Sequence, residues 1–150
     1  MIRVPSGLST ASQITSSPPN VMAIAKPINA VWLAMPGVFD SLQIPLATVD
    51  PTTHTIGNGG LQLRRRLGTT PLQEYLNCGT TQGAANTDTY DVRMSVVSKL
   101  VASADGGTTL TTTVQGMGRP ISTSGDFLRC SSTGTLEIRL GEIARARADR

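Results

Sequence analysis

Between Tyr90 and Val96 apolar and polar side chains alternate one for one. Tyr90, Val92, Met94 and Val96 fall on one side, Asp91, Arg93 and Ser95 on the other. A period of two is the signature of a strand with one buried face. Leu100 and Val101 continue the strand, Asp105-Gly106-Gly107 turns it, and Thr108 to Gln115 returns, which predicts a hairpin. Elsewhere the period is helical. Val31, Met35, Val38, Phe39 and Leu42 recur at helical spacing within residues 28–44, with Trp32 at the edge of the stripe and Asn29 placed to cap the start. Pro36-Gly37 inside that pattern predicts a kink or an interruption. A last helix is predicted over about 135–148, opened by Ser131, Ser132 or Thr133. Leu136, Leu140, Ile143 and Arg147 share one of its faces, with Ile138 and Ala144 beside them.

The remaining segments are shorter. Val21 to Ala25 suits a first strand ended by Lys26-Pro27, and Leu46 to Val49 suits another, followed by a turn at Asp50-Pro51. Thr55-Ile56 and Leu61 to Leu67 flank Gly57-Asn58-Gly59-Gly60, which predicts a second hairpin. Its alternation puts Leu61, Leu63 and Leu67 on one face and Gln62, Arg64 and Arg66 on the other, with Arg65 falling on the apolar side. Pro71 to Leu76 predicts a helical turn or two, and residues 79–88 a loop. The order of strands and helices is that of an α+β domain: an antiparallel sheet with helices on one face and a long C-terminal helix. Residues 1–20, rich in Ser, Thr and Pro, read as a flexible arm, and 21–150 as one domain.

Composition narrows the function more than the fold. The 150 residues are enough for one ordinary core. Aromatic residues are only 3%, so that core must be aliphatic. Charged residues are 15%, well below the usual quarter, and Ser, Thr and Gly fill the gap. Such a polar, uncharged surface is common among secreted and envelope proteins. The net charge of +3 is modest, and Trp32, Phe39, Tyr75, Tyr90 and Phe127 are too scattered to form a base-stacking platform. Nucleic acid is therefore not an expected partner. No apolar run reaches the length of a membrane span, and Met1 to Pro5 lacks the apolar core of a signal peptide. The chain is then either cytoplasmic or preceded by a start further upstream.

Catalytic chemistry has few residues to work with. His54 is the only histidine, and any Ser-His-Asp or Cys-His arrangement would need it, with Asp50 to orient it. In the stretch Asp50 to Ile56 it reads instead as an ordinary turn residue. Two cysteines 52 positions apart, one histidine and scattered carboxylates do not make a metal pattern. The glycine run leads into a strand, not a helix, so it offers no phosphate-binding helix start. No enzyme, cofactor or metal is expected.

Two features invite a function. Arg64 and Arg66 project together and are candidate contacts for an anionic lipid head group or an acidic partner; a solvated strand face is the plainer alternative. Cys78 and Cys130 are each followed by small polar residues and a glycine. A bond between them would close a loop of about fifty residues, worth roughly 4 kcal/mol in the chain-entropy account, and would imply an oxidising compartment. The alternatives are two inert thiols, or a reactive Cys130 made acidic by the helix start that follows it.

The stretch Val31-Trp32-Leu33-Ala34-Met35 through Phe39-Asp40-Ser41-Leu42-Gln43-Ile44, then Val49-Asp50 and a glycine-containing hairpin, resembles the repeated unit of helix-grip domains. Such domains occur in the lipoprotein family of the bacterial outer-membrane assembly machinery. The resemblance spans residues 28–67, and Pro36-Gly37 departs from it. It implies a helix followed by strands, with a binding surface either on the exposed sheet face or in the groove under the C-terminal helix. The expectation is a non-enzymatic accessory or structural subunit of a membrane-associated assembly in the cell envelope. It would sit peripherally in the periplasm or outer envelope and have a protein partner. The alternative is a carrier of a small hydrophobic ligand or lipid, its cavity lined by Met94, Val96, Leu136 and Leu140.

Overall fold

The alternating stretch is the spine of the computed structural model, which describes residues 20–121 and 125–149; residues 1–19 of the expected arm lie outside these. Strand β9 (Tyr90–Ala102) pairs with β10 (Thr108–Pro120) through thirteen antiparallel pairs, from Ala102 opposite Thr108 to Tyr90 opposite Pro120. Val92, Met94, Val96, Ser98 and Leu100 are buried along β9, and Thr108, Leu110, Thr112 and Val114 along β10. Three of these are polar and each is satisfied: the Ser98 and Thr112 hydroxyl oxygens are 2.8 Å apart, and Thr108 Oγ1 donates to the Lys26 carbonyl at 2.8 Å. A buried hydroxyl pair of this kind avoids the penalty of an unmade hydrogen bond.

Further strands add to both sides of the hairpin. In chain order they are β1 (Val21–Ile24), β2 (Thr48–Asp50), β3 (Thr55–Leu63), β4 (Arg66–Leu67), β5 (Thr70–Pro71), β6 (Leu76–Asn77), β7 (Thr80–Thr81), β8 (Ala84–Ala85) and, after β10, β11 (Leu128–Ser132). The main sheet runs β2-β3-β9-β10-β11-β6, with β1 also on β10, all antiparallel. Thus β1 takes the first part of the outer edge of β10, at Thr108–Thr111, and β11 the last part, at Gly116–Gly118. The pairs β4-β5 and β7-β8 form small separate ribbons.

Helices α1 (Ile28–Ser41) and α2 (Thr135–Ala148) cover the same face of this sheet and pack on each other, so the expected α+β layering is present. Helix α1 buries Val31, Met35, Val38 and Phe39. Helix α2 buries Leu136, Leu140, Gly141, Ala144 and Ala148, while Ile143 packs against the core from a partly exposed position. Small residues on α2 permit close approach: the Met22 thioether lies 3.0 Å from where a Cβ on Gly141 would be. At the start of α2, Ser132 Oγ accepts the Gly134 N–H at 3.1 Å and donates to Glu137 Oε2 at 2.7 Å, and Thr133 Oγ1 accepts the Thr135 N–H. The helix itself opens at Gly134 with no side-chain cap, so the expected cap by Ser131, Ser132 or Thr133 is absent; Ser132 and Thr133 bond instead within the turn that leads into it.

Several expectations are corrected. Helix α1 does not stop at Pro36 but continues through it. Proline removes one hydrogen bond, but Pro36 stands on the exposed side and four buried side chains on the opposite side hold the helix down. The residue before α1 is Pro27, with no side-chain cap, so Asn29 is inside the helix and not at its boundary. Gly57-Asn58-Gly59-Gly60 is no turn. It lies within β3, as a bulge between Asn58 and Leu61. A side chain at Gly57 would collide with the Val96 carbonyl, so this glycine serves a close strand approach. Asn58 closes the bulge, accepting the Gly60 N–H at 2.9 Å and donating to the Pro45 carbonyl at 2.8 Å. The alternation into Leu67 also breaks, because Arg65 takes a left-handed conformation (φ 66°) and Arg64 and Arg66 bridge across it. Residues 79–88 are not plain loop: they form the β7-β8 ribbon and a short 3-10 turn at Asn86–Asp88. Likewise Leu72–Glu74 is one 3-10 turn, and β11 is a strand the sequence did not predict.

Cys78 and Cys130 form a disulfide. It ties the segment after β6 to β11, beside the narrow inner side of β10 where Gly116 and Gly118 stand. A Cβ on Gly116 would lie 2.7 Å from Leu76 Cδ1, and one on Gly118 3.0 Å from Tyr90 and 3.6 Å from the Cys130 sulfur. The two glycines make room for the cross-link and for the buried Leu76.

Two predictions follow from this packing. Leu140→Ala, at a fully buried site, should lower unfolding free energy in urea titration by about 2–5 kcal/mol, whereas Leu33→Ala, 81% exposed, should stay within about 0.5 kcal/mol. Replacing both Cys78 and Cys130 by serine should cost about 2–5 kcal/mol by the same titration, and reductant should weaken the parent chain but not that variant.

Candidate functional site on the open sheet face

The face of the sheet opposite the helices carries exposed polar side chains, Arg93, Gln115 and Arg129 among them. Strand register lines up its side chains in transverse rows. One row is Gln62, Arg93, Met117 and Arg129, each opposite the next across β3, β9, β10 and β11. In the adjoining row Asp91 stands opposite Arg119, and Arg64 Nε donates to Asp91 Oδ1 at 2.6 Å. Ser95 and Gln115 form the third. Two adjoining clefts lie over these rows. One, of about 490 Å³, is lined by Arg64, Asp91, Arg93, Arg119 and Phe127; the other, of about 360 Å³, by Gly59, Gly60, Arg93, Gln115, Met117 and Arg129.

Phe127 organises the first cleft. The Arg93 guanidinium carbon lies 4.5 Å from its ring centre and that of Arg119 4.4 Å. A cation over an aromatic face is attracted by the ring quadrupole. Two of them on one ring hold both guanidinium groups in place without a carboxylate. Arg119 Nη1 donates to the Gly125 carbonyl at 3.1 Å, while its buried Nε has no hydrogen-bond partner among the described residues. Of the four arginines lining the two clefts, only Arg64 has an ion-pair partner among the described residues. The cluster therefore presents planar donors suited to phosphate or carboxylate oxygens.

The sequence-derived candidates separate. Arg64 is part of this face. Arg66 is not: with Arg65 it borders a different cleft beside Pro71, Gln73, Asp88 and Thr89, and its Nη1 donates to the Thr69 carbonyl at 3.4 Å. Cys78 and Cys130 are joined, so neither is a reactive thiol. His54 packs edge-on against Trp32, ring centres 5.3 Å apart, and Asp50 accepts the Thr52 N–H within its own turn. Among the described residues no group of three or more His, Cys, Asp or Glu side chains is placed to hold a metal ion. Met94, Val96, Leu136 and Leu140 belong to the packed core and are each at most 1% exposed.

Arg93, Arg119, Arg129 and Phe127 escaped the sequence reading as a group. Arg93 was placed outward by alternation alone. The signal for Arg119 was present too, because a hairpin centred on Asp105-Gly106 sets Arg119 opposite Asp91 once it is extended to Pro120. Arg129 and Phe127 had no such signal, since β11 reaches the sheet through a connection with no periodicity.

The Arg64–Asp91 pair is short but exposed, with side chains 62% and 31% accessible. A double-mutant cycle with Arg64→Ala and Asp91→Asn should give a coupling of no more than about 1 kcal/mol in unfolding free energy, falling further at high salt. A larger value would mark the pair as structural.

No family model, no curated protein and no solved structure matches the chain.

Proposed function

We propose that this chain is a non-enzymatic subunit of a membrane-associated assembly in the cell envelope, docking through the open face of its sheet. The observation that carries the reading is one-sidedness. Two helices cover one face, and the other presents aligned rows of polar and cationic side chains, three of the arginines without carboxylate partners among the described residues. A cluster of cations held ready on a rigid sheet is a recognition surface more readily than a catalytic one: among the described residues its one carboxylate, Asp91, is already bonded to Arg64.

The disulfide supports an extracytoplasmic site, where such bonds form and persist. No helix among the described residues is long and apolar enough to cross a membrane, which fits a peripheral association. The carrier reading draws less support, since the four side chains that were to line its cavity are packed in the core.

Site-specific photo-cross-linking in the native host tests this. A cross-linker at Gln115, on the open face, should give a discrete protein adduct, and one at Leu33, on the outer side of α1, should not. No adduct from Gln115, or one only from Leu33, would overturn the reading. So would a link from Gln115 to residues 1–19 of the same chain, since the face would then be covered from within.

A further inference from the structure

We propose that the arginine end of the open face is a docking surface for an anionic lipid bilayer, with Arg93, Arg119 and Arg129 contacting head-group phosphates. This rests on the open face being the working surface and names one of its partners.

Charge is the first argument. The residues lining the two clefts include four arginines and one acid, Asp91, so this surface alone carries +3, the net charge of the entire chain. The rest of the sequence is balanced. Asp126 stands exposed beside Phe127 and is the nearest acid along the chain outside the clefts. Such asymmetry gives the molecule a cationic side that an anionic plane would orient.

The second argument is the apolar content of the same end. Met117, directly between Arg93 and Arg129 in the transverse row, is 45% exposed. Ile121, just past the end of β10 and two residues on from Arg119, is 44% exposed. Exposed aliphatic side chains mixed with guanidinium groups match the boundary between head groups and acyl chains, where each class finds its own solvent.

The third argument separates lipid from nucleic acid. Single strands are held by bases stacking on open aromatic faces. Phe127, the one aromatic side chain lining the two clefts, already packs against the guanidinium groups of Arg93 and Arg119, and a single ring is no platform for successive bases. What it leaves free are guanidinium edges, which bind phosphate oxygens in pairs.

The test is co-sedimentation of the full chain, disulfide intact, with vesicles of half phosphatidylglycerol and half phosphatidylcholine, and with pure phosphatidylcholine vesicles. Binding should be confined to the anionic vesicles and should disappear near 1 M salt, where the screening length is about 3 Å. Arg93→Gln with Arg119→Gln should weaken partitioning about 30-fold, at roughly a fivefold factor per arginine. Arg129→Gln should weaken it about fivefold and Met117→Ser measurably; both sites are exposed, so these variants guard against a folding defect in the double variant. Arg139→Gln, on α2 and paired with Tyr75 and Glu74, should leave binding unchanged. Equal binding to neutral vesicles, no binding, or unchanged binding by the Arg93, Arg119 and Arg129 variants would overturn the proposal. Binding of an oligonucleotide or a polyglutamate peptide in place of vesicles would overturn it as well. If vesicles fail while the Gln115 protein adduct persists, the lipid assignment falls and the docking reading stands; if both fail, both fall.

Discussion

The thirteen pairs between β9 and β10 set the position of almost everything else. Their inner side chains form the floor on which both helices pack, and their outer side chains form the candidate site. Because side chains alternate strictly, the two surfaces are one constraint seen from opposite sides: a slip of one residue would send Arg93 and Met117 into the core and Met94 and Gly116 out of it. The register that buries Val92, Met94 and Val96 is the one that aligns Gln62, Arg93, Met117 and Arg129. The packing of the core and the layout of the candidate site are therefore coupled without any residue serving both.

Much of this was legible in the chain. The β9 alternation, the Asp105-Gly106-Gly107 turn, the stripe of α1 and the C-terminal helix all carry periods longer than any local accident, and each was recovered. The failures have physical causes. Gly57-Asn58-Gly59-Gly60 has the composition of a turn, but the same freedom from Cβ crowding serves a bulge pressed against Val96, and only the neighbouring strand decides between them. Pro36-Gly37 predicts a kink or an interruption on propensity alone, and the helix is not interrupted because four buried residues hold it in place. The arginine cluster was the hardest to see. It draws Arg64, Arg93, Arg119 and Arg129 from four strands or their ends, and sequence periodicity reports on one strand at a time.

The arrangement at Phe127 shows how a chain with few aromatic residues uses one of them. Two guanidinium groups close to one ring repel each other, yet the ring attracts both, and the one carboxylate lining the clefts is spent on Arg64. The result is cations fixed in orientation and still unneutralised. Long flexible arginines normally lose rotamer freedom on binding; here part of that loss has already occurred in the free protein.

The disulfide bears on the register of the hairpin. The segment from Cys78 to Cys130 contains the whole of β9 and β10, and Cys130 lies opposite Gly116 in the β10-β11 register. The hairpin pairs residues close in the chain, whereas the cross-link joins residues brought together by the pairing of β11 with β10 and of β6 with β11. The covalent bond therefore encloses the register that sets the outward row of arginines, and in the chain-entropy account it removes open conformations of that whole segment from the unfolded chain.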